Sequence, residues 1–328
     1  MRVSLFLTCL FVALVAAGTT HAADAKSATS TDPAQAGPDF AFQGEYAGSL
    51  KTDEGDQKFG AQIIALGDGK FRGIGYPGGL PGAGWSRGGE THSHDGQVVD
   101  GVLRFPSDEV QIECRDGKIT ISNNGQVIGQ LEKVERKSPT LGAAPPAGAK
   151  VLFDGTSAET FTNGKIIEEK LLGATNAESK LPLGDHHLHI EFRTPFMPLA
   201  RGQGRGNSGV YVQGRYEVQV LDSFGLEGKD NECGGIYSIS QPNVNMCLPP
   251  LAWQTYDIDF TAARYDEAGK KTQNARITVR HNGVVIHDNI ELAKGTPGKH
   301  PEGPAKAGLF LQDHGNPVAF RNIWVVEK

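Results

Sequence analysis

Asp-Gly and Asn-Gly dipeptides recur between short runs of alternating apolar and polar residues, and this pattern constrains the chain most. Asp68-Gly69, Asp95-Gly96, Asp116-Gly117, Asn124-Gly125 and Asn282-Gly283 each offer two consecutive residues that tolerate positive φ. A type I′ hairpin turn needs both. Runs such as Ala61-Gln62-Ile63-Ile64-Ala65-Leu66 and Lys118-Ile119-Thr120-Ile121 flank these turns and read as strands. Gly contributes 43 of 328 residues, well above its usual share, without a collagen-like period. That excess serves turns, so the chain is expected to be all-β. The helix candidate, Ile166 to Leu172, is short and weakly periodic.

Composition divides the chain. Arg2 precedes an apolar run from Val3 to Ala17, and Thr20-His21-Ala22 or Ala23-Asp24-Ala25 would serve as a cleavage site. Residues 1–22 therefore read as a signal peptide, and the product as periplasmic or extracellular. Cys9 follows Phe6-Leu7-Thr8, a poor lipoprotein signal. Residues 23–39 are rich in Ala, Thr, Ser and Pro and read as a disordered leader. Residues 40–137 carry the turn-punctuated strands of a small antiparallel meander, a barrel or a sandwich. Residues 138–150 form a Pro/Ala/Gly stretch with the composition of a semi-stiff linker. From 151 to 328 alternating strands separated by long excursions fit a two-sheet sandwich or jelly roll.

Several function classes drop out. A formal charge of −6 argues against nucleic-acid binding. No apolar stretch beyond the N-terminus approaches the roughly 20 residues of a membrane span. Gly204-Arg205-Gly206-Asn207-Ser208-Gly209 matches a dinucleotide fingerprint, but Val210-Tyr211-Val212 after it is strand-like where a helix is required, so no nucleotide cofactor is expected. Cys233 and Cys247 close a short loop and read equally as a disulfide or as two buried thiols. Cys114 reads as a buried inert thiol. His92-Ser93-His94-Asp95 alternates ligand-capable side chains, but more often such a cluster is a solvated strand end. The first domain is assigned no activity.

Alternation sorts the polar residues of the second domain onto faces, because residues two apart in a strand point the same way. His187, His189, Glu191 and Arg193 share one side of their strand, against Leu188, Ile190 and Phe192. Glu217 and Gln219 share a face against Val218 and Val220. Gln312 and His314 share a face against Leu311 and Asp313. Such forked donors and acceptors suit sugar hydroxyls and proton transfer.

Ordered blocks then become informative. Val151-Leu152-Phe153-Asp154-Gly155, Glu191-Phe192-Arg193, Asn207-Ser208-Gly209-Val210-Tyr211 and Tyr216-Glu217-Val218-Gln219-Val220-Leu221-Asp222 come first. Gly234-Gly235-Ile236-Tyr237, Trp253-Gln254-Thr255-Tyr256, Gly308-Leu309-Phe310-Leu311-Gln312-Asp313-His314-Gly315 and Phe320-Arg321-Asn322-Ile323 follow. The series resembles the 3-keto-disaccharide hydrolase family over essentially the whole second domain. That resemblance implies a concanavalin A-like jelly roll and an exported enzyme acting on glycosides oxidised at carbon 3. Gln254 departs from the family's usual Asn after the Trp.

The implied chemistry needs a base for the carbon-2 proton, an acid for the leaving oxygen and a positive group for the enolate. By residue type His314 or Glu217 is the base, Glu191 the acid and Arg193 the enolate partner, with Asn207, Gln219 and Gln312 holding hydroxyls. Direct hydrolysis by Glu191 and Glu217 is the second route. A divalent metal on Glu, Asp222 or His314 has no ligand spacing behind it. A non-catalytic carbohydrate-binding module, with Trp253 and Tyr256 as stacking platforms, is the alternative, and an adhesive scaffold ranks third.

Overall fold

The structure, a computed structural model, describes residues 28–107 and 110–328, so the expected export signal lies outside the described residues. Eight strands close an antiparallel barrel: β1 (Gly44–Thr52), β2 (Gly55–Gly67), β3 (Lys70–Pro77), β4 (His92–Val99), β5 (Val102–Phe105), β6 (Gln111–Arg115), β7 (Lys118–Asn123) and β8 (Gln126–Val134). Consecutive strands are neighbours, and β1 pairs with both β2 and β8, so the sheet has no free edge.

Beside two short two-stranded ribbons, the rest forms a unit of two main sheets. Its strands are β9 (Lys150–Phe153), β10 (Phe161–Thr162), β11 (Ile166–Ile167), β12 (Leu171–Gly173), β13 (Ala177–Ser179), β14 (His186–Arg193) and β15 (Ser208–Val212). They continue with β16 (Tyr216–Val220), β17 (Gln254–Thr261), β18 (Ala275–His281), β19 (Val284–Leu292), β20 (Phe310–Leu311) and β21 (Ala319–Glu327). The larger sheet runs β11-β12-β21-β14-β17-β18-β19, with β9 also on β21; the smaller runs β10-β13-β20-β15-β16. Leu188, Ile190 and Phe192 of β14 and Val210, Val218 and Val220 of β15 and β16 belong to one buried core cluster, and all are 0% exposed. Ile64 of the barrel joins that cluster, while Phe196 and Leu251 join the barrel's own.

The turn dipeptides do what their chemistry predicts, with one exception. Asp68-Gly69, Asp116-Gly117, Asn124-Gly125 and Asn282-Gly283 all take positive φ at both residues. Asp95-Gly96 lies inside β4, and the β4–β5 turn is Asp100-Gly101 instead. Gly96 is needed there for space: a Cβ would sit 2.6 Å from the Phe105 ring. The helix candidate is a hairpin, since Glu168 and Glu169 both take positive φ between β11 and β12. The expected leader is placed where it is described. Ser30 and Phe196 exchange backbone hydrogen bonds of 2.9 Å, and Pro33–Gln35 makes a 3₁₀ turn.

The stretch read as a linker is also docked. It crosses the outer face of the larger sheet, where Glu191 waits with no exposed surface. Gly142 N donates to Glu191 Oε1 at 2.6 Å, Asn322 Nδ2 donates to the same oxygen at 2.9 Å, and Arg321 Nε reaches Oε2 at 2.7 Å. Beside it, His189 Nδ1 lies 2.6 Å from Asp257 Oδ1, and Thr140 Oγ1 donates to Asp257 Oδ2 at 2.6 Å. Burial pushes the Glu191 carboxyl up, but the bonds from His189, Asn322, Arg321 and Gly142 outweigh it and bring the pKa down to about 2. Burial also opposes charge on His189, and Asp257 and Glu191 outweigh that too, raising its pKa.

This docking predicts a stability signature. A depressed carboxyl stabilises the fold above its unfolded pKa, and that contribution fades as pH falls from 4.5 through about 2. Glu191→Ala should cost about 3 kcal/mol in urea unfolding at pH 7, because it strands buried donors. The gap from the parent should shrink below pH 4.5. A gap independent of pH would mean that the carboxylate charge is not what holds this stretch down.

Candidate active site

The smaller sheet presents the other polar face. Glu178 of β13 faces Phe310 of β20, Phe310 faces Tyr211 of β15, and Tyr211 faces Glu217 of β16, so these four residues form one row across the sheet. Their sequence neighbours Ala177, Leu311, Val210 and Val218 point the other way, into the core. In the adjacent row Gly209 faces Gln219, and Gln312 N donates to Gly209 O at 3.0 Å.

Glu217 is the chemically distinctive member. It is 3% exposed, and its carboxyl is hydrogen-bonded to the Tyr211 phenol. Burial raises its pKa to about 7, with the Tyr211 bond pulling only partly back. Burial and the Glu217 charge push the Tyr211 phenol well up, so it stays protonated and donates. Gly209 makes room for both: a Cβ there would lie 2.4 Å from Glu217 Oε1 and 2.6 Å from the Tyr211 ring. A carboxylic acid that titrates near neutrality can take and return a proton, the property a general acid–base group needs.

Amides gather beside it. Asn207 Nδ2 donates to Gln203 O at 2.7 Å and to Gln203 Oε1 at 3.1 Å, and Gln219 Nε2 donates to Gln203 Oε1 at 3.2 Å. Asn207 Oδ1 is buried with no hydrogen-bond partner among the described residues. An orphaned acceptor of this kind suits a hydroxyl brought by a ligand.

At the far end of the row Glu178 accepts from Lys299 Nζ at 2.7 Å and lies 2.5 Å from His300 Nε2. Burial pushes its carboxyl up, but Lys299 and His300 hold it below the usual range. Lys299 also lies over the Phe310 ring, 5.2 Å from its centroid. Lys299, Tyr211, Phe310, Gln312 and Asn176 line an open cavity of about 500 Å³ on this face. The row thus holds one carboxylate fixed as an anion and one poised to titrate.

The structure brings Glu217, Gln219, Asn207 and Gln312 together, and separates other expected members from them. Glu191 and Arg193 lie on the outer face of the opposite sheet, so they do not share a site with Glu217. Stacked sheets are about 10 Å apart, which also removes the Glu191–Glu217 pair as two carboxylates flanking one bond. Arg193 binds Glu168 Oε2 at 2.5 Å. Trp253 lies under the Arg321 guanidinium at 3.9 Å and near Arg193 at 5.2 Å, on that same side. Tyr256 is core: it is 0% exposed and its hydroxyl donates to Gln219 O at 2.6 Å. Asp222 is engaged by Arg205 Nε at 2.6 Å, not by a group of ligands. Among the described residues no three His, Cys, Asp or Glu side chains are grouped to hold a metal. His314 sits in an exposed turn after β20, close to the site through its neighbours: Gln312 N bonds Gly209 O, and Asn316 Oδ1 accepts from Asn207 N. Cys233 and Cys247 are adjacent buried free thiols, so of the two alternatives the structure holds the unbonded one. Gln254, the family departure, is spent internally, accepting from Leu248 N at 2.8 Å and lying 2.9 Å from His281 Nε2. Tyr211, Glu178, Lys299 and His300 were not singled out. Tyr211 was within reach, because it has the phase of Gly209 opposite Val210 and Val212; the Lys299 loop had no periodicity to place it.

The raised Glu217 pKa carries its own test. The native state holds this proton more tightly than the unfolded chain, so the penalty is absent below 4.5 and accrues as pH rises to about 7. Glu217→Gln should therefore be more stable than the parent at pH 8, by on the order of 3 kcal/mol, with the difference vanishing near pH 4.5. Equal stabilities at both pH values would show that Glu217 titrates normally.

Comparison with known proteins places the two-sheet unit in a family. The profile of the family described as a 3-keto-alpha-glucoside-1,2-lyase-like domain matches residues 148–326. No curated protein matches the chain. A solved structure described as a "putative glycosyl hydrolase" from Parabacteroides distasonis is 30% identical, with a TM-score of 0.50, covering 56% of this chain and 85% of the other. A second so described from the same organism is 15% identical, with a TM-score of 0.40, covering 55% and 94%. The match takes in the whole two-sheet unit and the Glu217 face, and the chain belongs to the 3-keto-alpha-glucoside-1,2-lyase-like family.

Proposed function

We propose that this chain is a carbohydrate-active enzyme that cleaves a 3-keto-glycoside at the outer face of the smaller sheet, with Glu217 as the proton-transfer group. The observation that carries the reading is a buried carboxyl with a pKa of about 7, held by Tyr211 over Gly209 beside an open cavity. A ketone at carbon 3 acidifies the carbon-2 proton. Glu217 takes that proton, the C–H electron pair becomes the enolate, and its collapse expels the oxygen substituent at carbon 1. The leaving oxygen takes a proton from the newly protonated Glu217 or from water, and water adds to the unsaturated sugar if the outcome is hydrolysis. Lys299, which faces the cavity, supplies the positive charge for the enolate, a role the sequence had suggested for Arg193. Asn207, Gln312 and the Gln203–Gln219 amides orient hydroxyls. The apolar run Val3–Ala17 supports an enzyme that meets its sugar after export.

The test is an NMR time course of the purified protein with a 3-keto-disaccharide and with its unoxidised parent, run in D₂O. The expected result is cleavage of the keto sugar alone, with deuterium entering at carbon 2. Glu217→Gln should lower turnover about 100-fold or more, while Arg193→Ala leaves it unchanged. Because the base form is required, kcat/KM should rise with pH to a plateau above about 7. Full turnover by a folded Glu217→Gln variant would overturn the assignment. Perturbed sugar signals without cleavage would make the unit a carbohydrate-binding module.

A further inference from the structure

The barrel is not filled. Along its strands the inward-facing residues go from sealed to open. Tyr46 on β1 is 0% exposed, whereas Leu50 is half-buried; on β2, Ala65 is 0% exposed, Ile63 1%, Ala61 8%, and Phe59 half-buried. β6 repeats the gradient, from Cys114 at 0% to a half-buried Ile112. Phe71, Leu103 and Leu131, all at 0%, help to close one end. The other end is a cup of about 800 Å³.

Its lining is chemically simple. Ile112, Ile121, Ile128, Leu50 and Phe59 are among the wall residues, and Gly73 and Gly75 on β3 admit the Phe105 and Phe59 rings, which a Cβ would approach to 3.0 and 2.9 Å. Among the described residues His92 and His94, two apart on β4, are the ionisable groups that line the cup. The His92 ring stacks on Phe59 with centroids 6.3 Å apart, and its Nε2 lies 3.7 Å from Glu90 Oε1 at the rim. Protein interiors are ordinarily packed to crystal density, and an eight-stranded barrel is just wide enough either to be filled by its own side chains or to hold one small ligand. Here the exposure gradient along β1, β2 and β6 shows that the side chains fill one end and leave the other open. The volume falls within the 300–1,000 Å³ typical of small-molecule sites with apolar walls and few polar groups.

We propose that the barrel binds a single amphiphile: a hydrocarbon body lies in the cup, and one oxygen head group is hydrogen-bonded by His92 and His94. A carboxylate or a hydroxyl would supply that oxygen. This inference is independent of the sugar chemistry, because the lining residues all belong to the barrel.

The test uses the full chain and the neutral probe N-phenyl-1-naphthylamine, followed by displacement with dodecanoate and with dodecan-1-ol. Saturable, one-to-one enhancement of probe emission is expected, reversed by at least one of the two displacers, whichever it is identifying the head group. Ile112→Trp and Leu50→Trp, which grow into the lumen, should each weaken probe binding tenfold or more with unchanged circular dichroism. His92→Ala/His94→Ala should weaken the oxygen-headed displacer threefold or more while leaving the probe in place. In the unmutated protein with ¹³C-labelled Ile methyl groups, the Ile112, Ile121 and Ile128 signals should shift on probe addition, which keeps the test decisive if the Trp variants misfold. Absence of saturable binding, or methyl shifts confined to residues outside the barrel, would overturn the proposal. Displacement that is indifferent to the double His variant would overturn the head-group assignment.

Discussion

A β-sandwich packs one face of each sheet against the other and leaves two outer faces, and period-two alternation delivers polar side chains to both. The second domain resolves its two faces in opposite ways. On the larger sheet the polar set is neutralised: Glu191 collects Gly142, Asn322 and Arg321, Asp257 collects His189 and Thr140, and residues 138–143 lie on top. On the smaller sheet Glu178 is paired with Lys299 and His300, but Glu217 is left with a phenol as its side-chain partner, near an open cavity. The same residue type therefore acquires two characters. Glu191 is driven to about 2 by charge-assisted hydrogen bonds, and Glu217 to about 7 by burial that those bonds do not offset.

That divergence explains how far the sequence could be read. Alternation placed Glu191 with His189 and Glu217 with Gln219 correctly on their own strands, and four of the five Asp-Gly and Asn-Gly dipeptides expected at turns mark hairpin turns. Alternation could not say that the two strands belong to different sheets, since strand order depends on long-range pairing that no local pattern encodes. Grouping Glu191, Arg193 and Glu217 into one constellation was the cost. The Gly204–Gly209 stretch shows the converse. It fails as a nucleotide motif because a strand follows, yet Asn207 and Gly209 within it both lie at the candidate site, one with an orphaned acceptor and one with no side chain to crowd Glu217.

The docking of the connecting stretch is invisible in the sequence for a related reason. Ala, Pro and Gly composition speaks to the intrinsic stiffness of residues 138–150 and not to what they meet. Gly142 docks through its backbone N–H, and Ala143 through its carbonyl, which accepts from Asn322 and from Trp324 Nε1. Backbone groups are common to every residue and leave no compositional trace. The barrel and the sandwich are further tied by guanidinium groups: Arg205 reaches Ala65 O at 3.2 Å while bound to Asp222, Arg201 reaches Leu66 O at 2.7 Å, and Arg87 reaches Gly228 O at 2.6 Å. Asp222, a candidate ligand by type, is thus part of a contact between the two units.

The central claim is that the carboxyl on the smaller sheet, and not the one on the larger, is poised for proton transfer. A ¹³C NMR titration of side-chain carboxyl carbons in glutamate-labelled protein, assigned with Glu217→Gln and Glu191→Gln, tests it most directly. The account predicts a midpoint near 7 for Glu217, perturbed when a disaccharide is added, and an ionised, sugar-insensitive Glu191 throughout the range above pH 4.5. A Glu217 that titrates with the ordinary carboxylates, or a sugar response at Glu191 alone, would contradict it.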